Sequence, residues 1–241
     1  MEQNKKQRNI KIIAEIHPQH MGSIKEIERM ILQCKISGAD YVKVQLYNSR
    51  KLFNNSEREF LELKKNEFLN ISKFAEKTGI DLFASVFDEE RVDWCEEAGV
   101  KLYKIASRTV EDKGLCEKII SKNKPVIISL GMYDYKKKDL PYKSKNIIYL
   151  YCVSKYPTLL SDIEMPNFDE SFFSGFSDHT IGLSASLHAV SRGAEFIEKH
   201  YSNNKSMNVD TQLAHVCSMD QNDLAELRKY SDSINLVRNN H

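Results

Sequence analysis

The first thing this sequence lacks is net charge: 35 Lys and Arg stand against 34 Asp and Glu, a formal charge of +1 over 241 residues. Such a balance gives no broad electrostatic footprint for nucleic acid or an anionic membrane, so any anion site must be local. Long apolar runs are missing too. The polar, basic start Met1–Arg8 is followed only by Ile10–Ile16, too short for a signal-peptide core with its cleavage site or for a membrane span. Cysteines are few: Cys34, Cys95, Cys116, Cys152 and Cys217 are far apart, odd in number and form no Cys-x-x-Cys pair. They read as reduced, buried thiols of a cytoplasmic protein. Glycine and proline are sparse, 9 and 5, and neither an internal repeat nor a linker marks a second domain. With 41% hydrophobic residues the chain can bury a sizeable core, and residues 1–241 read as a single domain.

What is present is alternation. Eight short β-branched or apolar runs read as strands: Ile10–Ile16, Tyr41–Leu46, Asp81–Val86, Lys101–Ala106, Pro125–Leu130, Asn146–Cys152, Phe172–Phe176 and Glu195–Lys199. Between them lie helical patterns at Ser23–Ser37, Asn66–Thr78, Glu89–Ala98, Leu115–Ser121, Leu183–Arg192 and Asp220–Tyr230. Strand-then-helix order implies a parallel sheet, because parallel neighbours need a crossover connection. Eight units favour closure into a (β/α)8 TIM barrel, with an open doubly wound sheet as the alternative. Two segments fit less well: charged Arg50–Lys65, expected as a long active-site loop, and Lys- and Tyr-rich Tyr133–Lys145, expected as a degenerate fifth helix.

Catalytic groups of a parallel barrel gather at the C-terminal strand ends. Polar residues occur at nearly every one: Glu15, His17 and His20; Lys43 and Gln45; Ser85; Lys104 and Ser107; Ser129; Ser154 and Tyr156; Ser177 and His179; Glu198, Lys199 and His200. Any one of these is more often a satisfied polar residue than a functional one, but the set is hard to read that way. Lys43 and Lys104 with Ser85, Ser107, Ser129 and Ser177 could ring a phosphate and a carboxylate with donors. His179 and His200 could offer two neutral imidazoles to a metal, a weak signal for two histidines alone. Glu15 is placed for metal-linked or proton-transfer work.

Eight segments carry a resemblance: Ile13-Ala-Glu-Ile16, Gly38-Ala-Asp-Tyr-Val-Lys-Val-Gln45, Phe87-Asp-Glu89, Tyr103-Lys-Ile-Ala-Ser107, Lys124-Pro-Val-Ile-Ile-Ser-Leu-Gly-Met132, Tyr156-Pro-Thr158, Phe176-Ser-Asp-His-Thr-Ile-Gly182 and Ile197-Glu-Lys-His200. In order and spacing, from about Ile10 to Leu227, they resemble the N-acetylneuraminate (sialic acid) synthases. That resemblance implies a transferase in a TIM barrel, joining phosphoenolpyruvate to a sugar aldehyde with release of phosphate, in nonulosonate (sialic-acid-like) biosynthesis. It implies Mn2+ or Mg2+ on His179 and His200. The implied phosphoenolpyruvate pocket is Lys43, Ser85, Lys104, Ser107, Ser129, Ser154 and Ser177. Glu15 and Lys104 take catalytic roles, Gln45, Tyr156 and Asp210 contact the acceptor, and a homodimer is compatible.

Departures from the family pattern matter as much. Thr109 stands where the family usually carries an acceptor-binding Glu, and the first motif reads Glu15-Ile-His-Pro-Gln-His-Met-Gly22 in place of the usual Glu-Ile-Gly-x-Asn-His-x-Gly. Ser85 replaces a commoner Thr, and Ser154 an Asn; both still donate hydrogen bonds. The family usually adds a small C-terminal antifreeze-like lid domain, whereas this sequence ends at His241. The lid is therefore expected from another protein, from a longer chain, or not to be needed. Altered acceptor choice is the reading these departures favour. The alternatives are a synthase for a phosphorylated or non-acetylated aldehyde, with Arg108 as a natural contact, and a catalytically silent barrel that binds a sugar or a partner synthase.

Overall fold

The computed structural model describes residues 9–207 and 213–239. Its eight parallel strands are β1 (Lys11–Glu15), β2 (Tyr41–Leu46), β3 (Asp81–Val86), β4 (Tyr103–Ile105), β5 (Val126–Ser129), β6 (Ile147–Cys152), β7 (Phe173–Asp178) and β8 (Phe196–His200). Each pairs with the next and β8 returns to β1, closing the barrel. All eight expected strands are present, and the doubly wound alternative is excluded.

Period-two alternation explains why these strands close around two separate apolar clusters. Even-numbered residues of the early strands, such as Ile12, Ala14, Val42, Val44, Leu82 and Ala84, face outward and join the core under the helices. The alternate positions point inward, and Ile13, Phe83, Leu102, Ile127 and Leu150 form an apolar plug at the N-terminal end of the barrel. A side chain at Gly175 on β7 would collide with the Phe196 carbonyl of β8, so only glycine lets these strands approach here.

Helices α1 (Ile24–Ile36), α2 (Ser49–Phe53), α3 (Lys65–Thr78), α4 (Glu89–Glu97), α5 (Lys113–Ile120), α6 (Ser184–Ser191) and α7 (Gln221–Asn239) cover the outside. Side-chain caps start several of them: Ser23, Asn48, Asp88 and Asp112 each accept a backbone N–H in the first turn. Gly38 follows α1 at φ +91° against the Arg228 side chain, a position that excludes a Cβ on both counts. Arg228 of α7 in turn donates to the Ile10 carbonyl at 2.9 Å and to Asp40 at 3.1 Å, tying the last helix to the first strands.

Two expectations are corrected. Tyr133–Lys145 forms no helix. Tyr133, Tyr135, Leu140 and Tyr142 instead pack against the outer core, Tyr142 donating to the Val110 carbonyl at 2.8 Å, so aromatic rings cover the sheet where a helix would have lain. Arg50–Lys65 is not an open loop throughout: it contains most of α2 and the 3-10 turn Glu59–Leu61, and Leu61 and Leu63 are buried.

Candidate active site

Two residues beyond the apolar plug, the inward face of nearly every strand turns polar. Ile13 gives way to Glu15, Tyr41 to Lys43, Phe83 to Ser85, Leu102 to Lys104, Ile127 to Ser129, and Phe196 to Glu198. Parallel register sets these side by side, pairing Glu15 with Lys43, Ser85 with Lys104, and Ser177 with Glu198. The result is a cavity of about 360 Å³ at the C-terminal mouth of the barrel, within the usual range for small-molecule sites.

Every described residue expected at the site lines this cavity: Glu15, Lys43, Gln45, Ser85, Lys104, Ser107, Ser129, Ser154, Tyr156, Ser177, His179 and His200. Asp210 lies outside the described residues. One expectation changes. Thr109 is buried behind the cavity wall, where its carbonyl accepts from the Cys116 thiol at 3.3 Å, and it is Arg108 of the Ser107–Thr109 turn that faces the cavity.

At the floor, Glu198 is the hub. Its Oε1 accepts from Lys104 Nζ at 3.0 Å and from Ser177 Oγ at 2.9 Å, and its Oε2 is 2.9 Å from Lys43 Nζ. Lys43 also meets Glu15 Oε2 at 2.8 Å, while Lys104 donates to Ser129 Oγ at 2.5 Å. Burial opposes ionisation of Glu198, but the Lys104 and Lys43 ammoniums outweigh it and hold this carboxyl well below the usual range. Glu15 goes the other way: burial raises it, and Lys43 offsets that only in part. For Lys43, burial is overcome by the two carboxylates and its pKa is raised; for Lys104, burial prevails and its pKa is lowered.

His179 and His200 face each other across the rim with ring centroids 5.8 Å apart. His179 Nδ1 lies 2.9 Å from the Val153 carbonyl and His200 Nδ1 lies 3.2 Å from Gln19 Oε1. An oxygen on Nδ1 fixes the proton there and leaves the Nε2 lone pair free, the arrangement metal-bound imidazoles adopt. Burial and the neighbouring His179 push His200 well below the ordinary histidine value, keeping it neutral. For His179, burial lowers the pKa, but the Cys152 sulfur and the Val153 carbonyl raise it overall. Among the described residues no third His, Cys, Asp or Glu joins them in a metal-holding group, so other coordination positions would fall to water or substrate. Tyr156 packs over His179 at 4.1 Å between centroids.

Three features have roles that the sequence did not assign. Glu198 was visible as a strand-end residue, and its place two residues before His200 was the signal that it faces inward. Arg58 and Phe53, also on the cavity wall, come from an aperiodic segment that gave no such signal. His17, which stands where the family pattern has Gly, joins a buried hydrogen-bond chain with His20: Gly22 N–H donates to His20 Nδ1 at 3.0 Å, and His20 Nε2 reaches His17 Nδ1 at 2.9 Å. His17 Nε2 continues it to the Tyr47 hydroxyl at 3.1 Å. Burial lowers His20 to about 4 and pushes His17 well below the ordinary histidine value, so neither carries charge at neutral pH.

Comparison with known proteins agrees with this geometry. The NeuB family matches residues 30–241. An uncharacterized protein of Methanocaldococcus jannaschii is 34% identical over 212 residues, covering 81% of this chain and 63% of that protein. N,N'-diacetyllegionaminic acid synthase of Legionella pneumophila is 30% identical, covering 90% of this chain and 69% of the enzyme. The chain thus spans about two thirds of the length of these curated relatives. The crystal structure of N-acetylneuraminic acid synthetase from Leptospira borgpetersenii superposes with a TM-score of 0.85 at 29% identity, covering 96% of this chain and 86% of that one. Shared fold, the family match over residues 30–241 and the ordered strand-end motifs converge on one assignment: this chain belongs to the NeuB family.

Proposed function

We propose that this barrel condenses phosphoenolpyruvate with a sugar aldehyde, releasing phosphate and giving a 2-keto-3-deoxy sugar acid. The observation that carries the reading is the convergence of two buried lysines, a ring of hydroxyls and two facing imidazoles on one cavity of a NeuB-family barrel.

In this reading Lys43 and Lys104 hold the carboxylate and phosphate of phosphoenolpyruvate, with Ser85, Ser107, Ser129, Ser154 and Ser177 as adaptable donors. Glu198 holds both lysines in place through its two oxygens. The two imidazoles suit a transition-metal dication such as Mn2+ better than Mg2+, which takes oxygen ligands; His179 and His200 would hold it through Nε2. When bound, it supplies Lewis-acid polarisation of the aldehyde oxygen. Tyr156 and Gln45 orient the sugar so that its aldehyde carbon meets C3 of phosphoenolpyruvate. Water adds at C2 and phosphate departs; Glu15, its pKa raised by burial, takes the proton from that water.

The deciding experiment measures phosphate release from phosphoenolpyruvate against a panel of aldoses, with and without Mn2+. Release that requires both aldehyde and divalent ion, and stops on chelation, is expected. No release with any aldose would overturn the reading.

A further inference from the structure

Charge is unevenly satisfied around this cavity. At the floor, Lys43 and Lys104 meet Glu15 and Glu198, two cations against two carboxylates. On the wall, Arg58 and Arg108 are different. Their guanidinium carbons lie 4.7 and 5.0 Å from the same Phe53 ring centroid, and both side chains line the cavity. Among the described residues neither forms a hydrogen bond or an ion pair through its side chain. The other described arginines all do: Arg29, Arg50, Arg91, Arg228 and Arg238 have carboxylate partners, and Arg192 donates to the Pro166 carbonyl. Among the described residues, then, both guanidiniums touch the Phe53 ring while their N–H donors meet no side-chain or backbone oxygen. Arg58 is also half-buried, and burial together with the repulsion of Arg108 lowers its pKa.

We infer that the sugar aldehyde taken by this barrel carries a phosphate monoester, which Arg58 and Arg108 clamp against the Phe53 wall. This rests on the synthase reading above and names its acceptor class. Position decides which substrate the arginines serve. Arg108 follows β4, whereas His179 follows β7 and His200 ends β8, and in a closed ring of eight β4 lies opposite β8; Arg58, after β2, meets Arg108 at Phe53. An acceptor with its aldehyde at the histidines would therefore extend its far end across the mouth to the arginines. Phosphoenolpyruvate, on the strand-borne lysines and serines, lies deeper. A phosphate monoester is close to a dianion at neutral pH and offers three oxygens, matching two planar guanidinium forks better than a single carboxylate does.

The test compares N-acetylmannosamine with its 6-phosphate as acceptors for the full chain, with phosphoenolpyruvate and Mn2+, in wild type, Arg58→Met, Arg108→Met and Arg58→Lys. The 6-phosphate should be preferred in kcat/KM by about 100-fold or more. Each Met variant should shrink that preference by about 10- to 100-fold, the range expected for a charged hydrogen-bonded contact. Arg58→Lys, which keeps the charge but loses the fork, should shrink it less. Equal use of both sugars would overturn the inference, as would Met variants that raise the KM for phosphoenolpyruvate instead. If neither sugar is turned over, calorimetric titration of the two sugars still judges the clamp, and the aldose panel above judges the synthase reading separately. Binding of the 6-phosphate at least 10-fold tighter than the parent sugar, lost in Arg108→Met, supports it. Equal binding refutes it. Arg108 is exposed, so its variant tests the clamp even should Arg58→Met fold poorly.

Discussion

Two buried charge clusters sit one residue apart in sequence and on opposite sides of the barrel wall. Inside are Glu15, Lys43, Lys104 and Glu198, which line the cavity. Outside are Asp178 and Lys199, both fully buried, with Lys199 Nζ 3.1 Å from Asp178 Oδ2. Lys199 also donates to the Thr180 carbonyl at 2.6 Å, and Asp178 accepts from Thr180 N at 2.8 Å and from Ser186 Oγ at 2.5 Å. The outer pair is closed, with a partner for each charge, and binds β7, β8 and α6 together. The inner cluster is open to a ligand. Paired lysines and carboxylates thus serve stability on one face and recognition on the other, and the pleat of the strand assigns them.

The largest effect that would test this contrast is on folding. Lys199→Met strands the Asp178 carboxylate in the interior and should destabilise the protein by about 3–5 kcal/mol, measured by urea denaturation. Next comes Lys104→Met, where Glu198 keeps Lys43 and Ser177. Its stability loss should be clearly smaller, while kcat/KM for phosphoenolpyruvate falls by about 10²–10³. Equal destabilisation of the two variants would erase the distinction between the clusters.

A smaller effect is expected from Gln19→Leu, which removes the oxygen facing His200 Nδ1. Affinity for Mn2+, read by calorimetry, should drop about 10- to 100-fold; unchanged affinity would mean that packing alone orients the ring.

The smallest effect lies in pH dependence, and the two inner carboxylates should differ in sign. Glu198 is depressed in the folded state, so its stabilisation is present above the unfolded carboxylate value of 4.5 and is lost only as pH falls through the lower folded value. Glu198→Gln should therefore lower stability at pH 7 and equally at pH 5. Glu15 is raised, so its ionisation begins to oppose folding as pH rises from 4.5 through the higher folded value. Glu15→Gln should be more stable than wild type at pH 7, with the gain shrinking at pH 4.5. Denaturation curves at these pH values check both, and a common sign would show that the cluster titrates as one unit.

Local pattern was enough to find the barrel, because eight apolar runs separated by amphipathic helices leave a parallel sheet few ways to close. It also found most of the cavity, since polar residues at strand ends interrupt an otherwise apolar alternation, as Lys43, Ser85 and Lys104 do. Three things were decided only by the fold. The choice between Arg108 and Thr109 depended on the orientation of a single 3-10 turn, which sequence spacing does not encode. The pairing of Arg58 with Phe53 and Arg108 joins a segment after β2 to one after β4, a contact made by ring closure and not by periodicity. And Tyr133–Lys145, interrupted by Pro141 and holding only three tyrosines and Leu140 as apolar residues, forms no helix and covers the sheet with its rings. Sequence alone fixes which side chains alternate in and out of a strand; which of them meet across the mouth depends on how eight strands close on one another.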